Sequence, residues 1–360
     1  MAKAVIKNIK IKGMAIVLGE NEVKFENEPE FWNNDEVQLA KLKKMIGFDT
    51  RYRTNPETTT ADLCEQAAKN LIKKLNIDVS SIDAIIFTTQ TPDYYMPGNA
   101  HVIHRNLGFS KDTLALDLEF GCSGFIYGLF TASSMINSGL KRVLLLTGDT
   151  LSKSANPKDR TEAPLFGDTG SATIIDYDAK AKESYFILKS DGNGINSMLQ
   201  PAGAYRVPST EETRKDVEDK DGNIRNQENI YMNGFEIFNF TLTEQPKLLD
   251  EILELSGNTK DDIDYFALHQ ANVYIVETIL KKAKIPFDKA PSKIFAKYGN
   301  QNSASIPSVI CSELYDKFKN GKKKVLMQGF GIGLSWGACV MDFENTICIQ
   351  PQIYGGKNEL

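Results

Sequence analysis

With 360 residues the chain is too long for a peptide-scale binding module and comfortable for two domains of about 180, each large enough to bury a good core. Hydrophobic residues at 41% and charged residues at 25% place it among soluble globular chains and exclude the disordered and collagen-like classes. A net charge of -5 gives no basic field for counterion release, so no nucleic-acid partner is implied.

In chain order, Met1 to Lys10 alternate lysine with apolar residues and lack the uninterrupted apolar core of a signal peptide. Apolar runs such as Val143 to Leu146 and Gly124 to Thr131 fall far below the roughly 20 residues of a membrane span. A cytoplasmic protein with no membrane span is expected. The cysteines at 64, 122, 311, 339 and 348 are odd in number and include no Cys-x-x-Cys, so neither a disulfide framework nor a metal site is signalled.

Ser81 to Phe87 is the first clear buried strand: a polar turn opening into an apolar, β-rich run. His101 and His104 follow Pro97-Gly98 three residues apart, on one helix face, and read as packing or capping residues. Leu114 to Glu119 alternate as a strand running into Gly121, and an apolar helix pattern follows Cys122 to about Asn137. This puts the Cys122 thiol at a strand-to-helix turn, where the partial positive charge of a helix N-terminus favours thiolate over a thiol that ordinarily titrates near about 8.5. Cys64, Cys311 and Cys339 read as buried small hydrophobes.

Gly139 to Leu145 is a second strand with its turn. Tyr205 to Asn229 is dense in mixed charge and poor in apolar residues, so it reads as a solvated surface excursion, with a lid as the alternative. Asp262 to Leu268 then echoes Ser81 to Phe87 at an offset of 181 (264 − 83), and Gly321 to Met327 echoes Gly139 to Leu145 at an offset of 182 (321 − 139). Helix-length stretches separate each pair, the second running from about Ser305 to Lys319. Strands alternating with helices give an α/β class with a mostly parallel sheet, and the shared offset implies an internal duplication. The division is residues 1–190, an excursion at 191–230, and residues 231–360.

His269 follows a strand directly, at the C-terminal end where α/β sheets build sites. The polar run Tyr298 to Pro307 stands where the offset puts the counterpart of Cys122, so a site between the halves is expected. Gly329, Gly331 and Gly333 at alternate positions let backbone approach a ligand, and N–H groups there suit an oxyanion. Their spacing and place near the chain's end do not suit a dinucleotide fingerprint.

Together, Cys122-Ser123-Gly124-Phe125, His269-Gln270-Ala271-Asn272 and Gly299 to Pro307, with Leu165 to Ala172 and Gly329 to Gly337, resemble the β-ketoacyl-acyl-carrier-protein synthase III family of the thiolase superfamily, as a divergent member. The resemblance implies a thiolase-like, duplicated five-layer αβαβα fold and a homodimer. It implies Cys122 as nucleophile toward an acyl thioester, His269 and Asn300 in decarboxylative condensation with malonyl-carrier, and the N–H groups of Cys122 and Ile332 as oxyanion hole. Asn300 is preferred to Asn302 because the family asparagine stands seven residues before Pro307. Arg160, Phe330, Asn272 and Met96 are the implied substrate-binding residues, Met96 reaching into the partner subunit's acyl pocket, and Lys281 and Lys282 dock the acidic carrier protein.

No cofactor or metal is implied, only acyl-coenzyme A or acyl-carrier substrate. Lys41 and Met45 stand where the family often has the Trp and Arg that hold the coenzyme A nucleotide, which favours a carrier-borne donor. Primary fatty-acid initiation and a specialised lipid or secondary-metabolite route both fit. The alternative within the fold is a Cys-dependent acyltransferase forming an ester or amide without condensation. A papain-like protease would require a different neighbourhood from Gly121-Cys122-Ser123-Gly124.

Overall fold

The computed structural model describes residues 2–318 and 321–356. Two sheets carry the chain. The first runs Ile9–Leu18, Thr169–Tyr177, Arg142–Asp149, Ala84–Thr88 and Leu114–Leu118 across its width. The second runs Ala2–Ile6, Ser184–Ser190, Ser335–Glu344, Lys322–Gly331 and Tyr265–Leu268. The edges cross over: Ala2–Ile6 joins the second sheet, and the short Ile347–Cys348 and Gln352–Ile353 pair with Ile9–Leu18 in the first.

The duplication is visible in the hydrogen bonding. Ala84 pairs in parallel with Val143, and Tyr265 pairs in parallel with Val325, each partner displaced by one of the offsets found in the sequence. Asp83 N–H donates to the Arg142 carbonyl and Asp264 N–H to the Lys324 carbonyl, both at 2.9 Å. Each aspartate carboxylate accepts in return from the main chain of its partner, Arg142 N at 2.9 Å and Lys324 N at 2.7 Å.

Side chains two apart on a strand share a face, and the alternation sorts the core into layers. Ala84 and Ile86 face Ala267, Val325 and Met327 of the other sheet across helices Gly124–Asn137 and Ser305–Cys311. Ile85 and Phe87 face outward onto helices Thr60–Leu75 and Asn99–Asn106. Phe266 and Leu268 face outward onto Gly234–Ser256 and Val273–Ala283. The result is five layers, α on β on α on β on α. The central helix Gly124–Asn137 is apolar nearly all round because it has a sheet on each side.

Three sequence expectations are corrected. The sheets are mixed and not mostly parallel: in the second sheet only Tyr265–Leu268 with Lys322–Gly331 is a parallel pair, and in the first Thr169–Tyr177 runs antiparallel to both its neighbours, because hairpin-like returns close each half beside its parallel βαβ strands. The second inter-strand helix stops at Cys311; Ser312 leaves helical dihedrals at φ -111°, ψ -80°, and the chain that follows turns Leu314 and Phe318 into the central core, while Lys319 lies outside the described residues. The excursion at 205–229 contains a hairpin, Val217–Glu218 against Ile224–Arg225. Asp219 closes its turn by accepting from Asp221 N at 2.9 Å and Asn223 N at 3.0 Å, Gly222 supplies the left-handed residue (φ +78°), and Arg225 bridges Asp219 to the buried Asp159.

Candidate active site

Cys122, His269 and Asn300, drawn from three segments of both halves, line one cavity of about 500 Å³. All three are buried. Cys122 precedes helix Gly124–Asn137 in a tight turn, with Gly124 N donating to Gly121 O at 2.7 Å. The strand end Lys322–Gly331 lies against it: a Cβ on Gly331 would stand 2.7 Å from Cys122 Cβ and 3.1 Å from its Sγ. Gly331 admits the nucleophile's side chain and Gly329 its backbone, while Gly333 abuts Ser335.

Ser123 Oγ and Ser335 Oγ are 2.6 Å apart, and Ser335 Oγ donates to the Ile332 carbonyl at 2.7 Å, which holds the Ile332–Gly333 peptide in the turn after the strand. Among the described residues Ile332 N–H has no backbone acceptor, and Cys122 N–H turns to its own thiol.

The expected thiolate is not what the resting site favours. Burial, with the charge of Asp149 added, pushes the Cys122 thiol up to about 12, and its own backbone N–H opposes this only in part. Desolvation outweighs the helix terminus. His269 is held down at about 3 by burial, so its imidazole is neutral at any physiological pH. Its Nδ1 lies 2.6 Å from Ser305 Oγ, its backbone N–H donates to Gln328 O at 2.8 Å, and Phe330 stands edge-on to the ring at 5.2 Å. With Nδ1 engaged, Nε2 is the nitrogen left for the cavity. Asn300 Oδ1 accepts from Asn302 N at 2.9 Å, and its Nδ2 has no acceptor among the described residues. A neutral imidazole and a side-chain amide beside a thiol can serve an enolate oxygen when Nε2 carries the ring proton.

The remaining expected residues divide. Phe330, Asn272 and Arg160 line the cavity. Asn272 also caps helix Val273–Ala283, accepting from Ile275 N at 2.8 Å. Arg160 at the mouth donates to Asn33 Oδ1 at 2.9 Å and to the Asp221 carbonyl of the hairpin. Met96 does not line the cavity; it is 71% exposed, in the exposed run Tyr94, Tyr95, Met96. Lys281 and Lys282 end helix Val273–Ala283 on the surface, Lys281 3.6 Å from Glu277 and Lys282 donating to Leu242 O at 3.2 Å. His104 Nε2 lies 2.9 Å from the Ser110 carbonyl, away from the cavity.

A second cavity of about 570 Å³ lies on the far side of Gly121 and Ile332, lined by Phe120, Leu199 and Leu334 together with Gln90 and Glu119. Sequence reading missed it, and also missed Asp149, Asn302 and Ser305 as partners of the site. Among the described residues no group of three or more His, Cys, Asp or Glu could hold a metal, and no helix is long and apolar enough to cross a membrane.

Beside the mouth, Glu162 is 1% exposed and neither carboxyl oxygen has a hydrogen-bond partner among the described residues. Burial, then the nearby Asp159, push its carboxyl up to about 8. The folded chain keeps this proton from the ordinary carboxylate range up to about pH 8 while the unfolded chain loses it, so stability falls as pH rises through that window. Glu162→Gln is expected to flatten the fall and to stabilise the protein at pH 8, on the order of 3 kcal/mol. Thermal melts from pH 5 to 8.5 check this; an unchanged slope contradicts it.

Fold and site together define an α/β protein of the duplicated thiolase type, with a cysteine at the start of its central helix. The family model described as 3-oxoacyl-[acyl-carrier-protein] synthase III matches residues 116–192, and that of its C-terminal portion matches residues 253–343. A Campylobacter jejuni relative, provisionally named a 3-oxoacyl-[acyl-carrier-protein] synthase 3, is 40% identical over 346 residues, 96% of this chain and 97% of its own. A β-ketoacyl-[acyl-carrier-protein] synthase III of Clostridium perfringens is 33% identical over 93% of this chain and 99% of its own. The crystal structure of a 3-oxoacyl-(acyl-carrier protein) synthase from Burkholderia xenovorans superposes with a TM-score of 0.90 at 33% identity, covering 98% of this chain and 99% of that one. The chain belongs to the 3-oxoacyl-[acyl-carrier-protein] synthase III family.

Proposed function

We propose that the protein condenses an acyl thioester with malonyl-carrier protein, losing carbon dioxide. The observation that carries this is the convergence of Cys122, His269 and Asn300 on one cavity in a member of this family. In the first half-reaction Cys122 Sγ attacks the donor carbonyl carbon, the Cys122 and Ile332 N–H groups hold the oxyanion, and the donor thiol leaves carrying the proton. The acyl group then lies in the second cavity, beyond Gly121 and Ile332.

In the second half-reaction malonyl-carrier enters the first cavity. Its bond to the carboxylate breaks, and the electron pair passes into a thioester enolate whose oxygen accepts from His269 Nε2–H and Asn300 Nδ2–H. This tautomer requires Ser305 Oγ–H to donate to Nδ1, which the 2.6 Å separation allows. The enolate carbon attacks the acyl carbonyl, Cys122 Sγ leaves as thiolate and takes one proton from water, and the products are 3-oxoacyl-carrier and carbon dioxide. Each step balances without a redox cofactor or metal.

A carrier-borne donor is supported by the nucleotide-side positions: Lys41 and Met45 are exposed on helix Glu36–Met45 and are not the Trp and Arg usual there. A homodimer is supported by the unpaired edge strand Leu114–Leu118, tied through Asp117, which accepts from Ala100 N at 3.1 Å, to the helix that follows the exposed Tyr94 to Met96. In it Met96 would cap the partner's acyl cavity. Lys281 and Lys282, on the helix that His269 and Asn272 lead into, are the docking positions for the acidic carrier. The test is whether malonyl-carrier discharges an acyl group from Cys122 with release of carbon dioxide; transfer to oxygen or nitrogen would release none.

A further inference from the structure

Asp149 ends the strand Arg142–Asp149, is 2% exposed, and no step above uses it. Its carboxylate is divided between the halves of the molecule. Oδ1 accepts from Gln90 N at 2.7 Å, Thr89 Oγ1 at 3.0 Å and Thr91 Oγ1 at 3.2 Å, all from the loop after strand Ala84–Thr88. Oδ2 accepts from Asn302 Nδ2 at 2.8 Å and Ser303 Oγ at 3.2 Å, which belong to the other half. Burial pushes this carboxyl up to about 7 and the donors on its two oxygens oppose the rise, so it is the ionised form that this geometry serves: a carboxylate accepts on both oxygens at once, which no neutral side chain of this size does.

Both condensation donors hang from the residue held this way. Asn302 sits in the left-handed region (φ +50°). Its N–H fixes the Asn300 amide through Oδ1 at 2.9 Å. Its carbonyl lies 3.0 Å from Ser305 Oγ, the hydroxyl 2.6 Å from His269 Nδ1. That hydroxyl has one proton and two acceptors in reach, so the placing of the Asn302 carbonyl bears on the His269 tautomer.

We propose that Asp149 is a positioning residue for condensation, acting through Asn302 to aim Asn300 and His269 while leaving Cys122 acylation to other groups. This rests on the reaction proposed above and adds the residue that aligns its second half. A fixed donor is worth far more to a transition state than one that must first be ordered, and a displacement of about 1 Å costs about 100-fold.

Asn302→Asp sets two carboxyl groups against each other where an amide met a carboxylate. The swap Asp149→Asn with Asn302→Asp restores the contact with donor and acceptor exchanged. Acylation of Cys122, whose thiol the Asp149 charge already pushes up, is expected to fall less than tenfold in Asn302→Asp, which adds a second acid, and to stay within threefold of the parent in the swap, which keeps one, read by intact mass. The condensation kcat is expected to fall about 100-fold in Asn302→Asp, with KM for malonyl-carrier nearly unchanged, and to recover to within about tenfold in the swap. Asn302→Gly keeps the left-handed backbone without a charge and serves if the acidic variant does not fold; it should lose about tenfold in condensation alone.

Full condensation in Asn302→Asp, a parallel loss of acylation, or a swap that restores nothing would overturn the proposal. The ¹⁵N shift of His269 Nδ1, in a chain with 3 histidines, separates this from the reaction itself. It should move in Asn302→Asp and return in the swap even if malonyl-carrier proves not to be the substrate; an unmoved shift overturns the clamp.

Discussion

Cys122→Ala is expected to abolish acyl loading and to reduce turnover by about 10³-fold or more, the scale on which a covalent nucleophile is missed. No other thiol stands ready to replace it. Cys64, Cys311 and Cys339 are buried in the apolar cores, where burial pushes their thiols up, and Cys348 lies on the short strand Ile347–Cys348, outside both cavities. Intact-mass spectrometry after exposure to acyl-carrier or acyl-coenzyme A reads the result directly. The same adduct on the alanine variant would contradict the assignment. The raised thiol adds a second expectation to the parent enzyme: because burial disfavours the free thiolate, acylation depends on the proton leaving as the thioester carbonyl is engaged at the Cys122 and Ile332 N–H groups.

Asn300→Ala is expected to separate the two half-reactions. Loading of Cys122 should proceed, since the amide plays no part in the oxyanion hole that serves it. Condensation should fall by about 10² to 10³-fold, the loss of one preorganised donor, about 3–4 kcal/mol. Single-turnover loading and steady-state product formation, measured on the same preparation, distinguish the two. An equal fall in both, or none in condensation, would contradict the role. His269 remains neutral throughout, held near 3 by burial, so no acid limb from its titration should enter the condensation profile between pH 5 and 8.

What could be read in the sequence was local or repeated. Cys122, His269 and Asn300 each sit in a short motif at a strand or helix end, and the repeated Asp83 and Asp264 turns carried the duplication in seven-residue stretches. Apolar strands such as Ala84–Thr88 declared themselves because both faces are buried. What escaped was set by partners distant in the chain. Asp149 looks like any strand-ending acid until Asn302, 153 residues on, is folded against it. The short helix Ser305–Cys311 ends early for the sake of core contacts by Leu314 and Phe318 that no periodicity shows. The state of the Cys122 thiol is not legible because a helix terminus is visible in a sequence, whereas the desolvation that opposes it belongs to the packed interior.

The most direct measurement is a chase on the acylated enzyme. The protein is loaded from an acyl donor, freed of excess donor, confirmed by intact mass as a single adduct on Cys122, and mixed with malonyl-carrier labelled in its free carboxyl group. The adduct should disappear as labelled carbon dioxide and 3-oxoacyl-carrier appear in equal amounts. An adduct that malonyl-carrier leaves in place, or that is lost to an oxygen or nitrogen acceptor with no carbon dioxide, would contradict condensation as the reaction of this site.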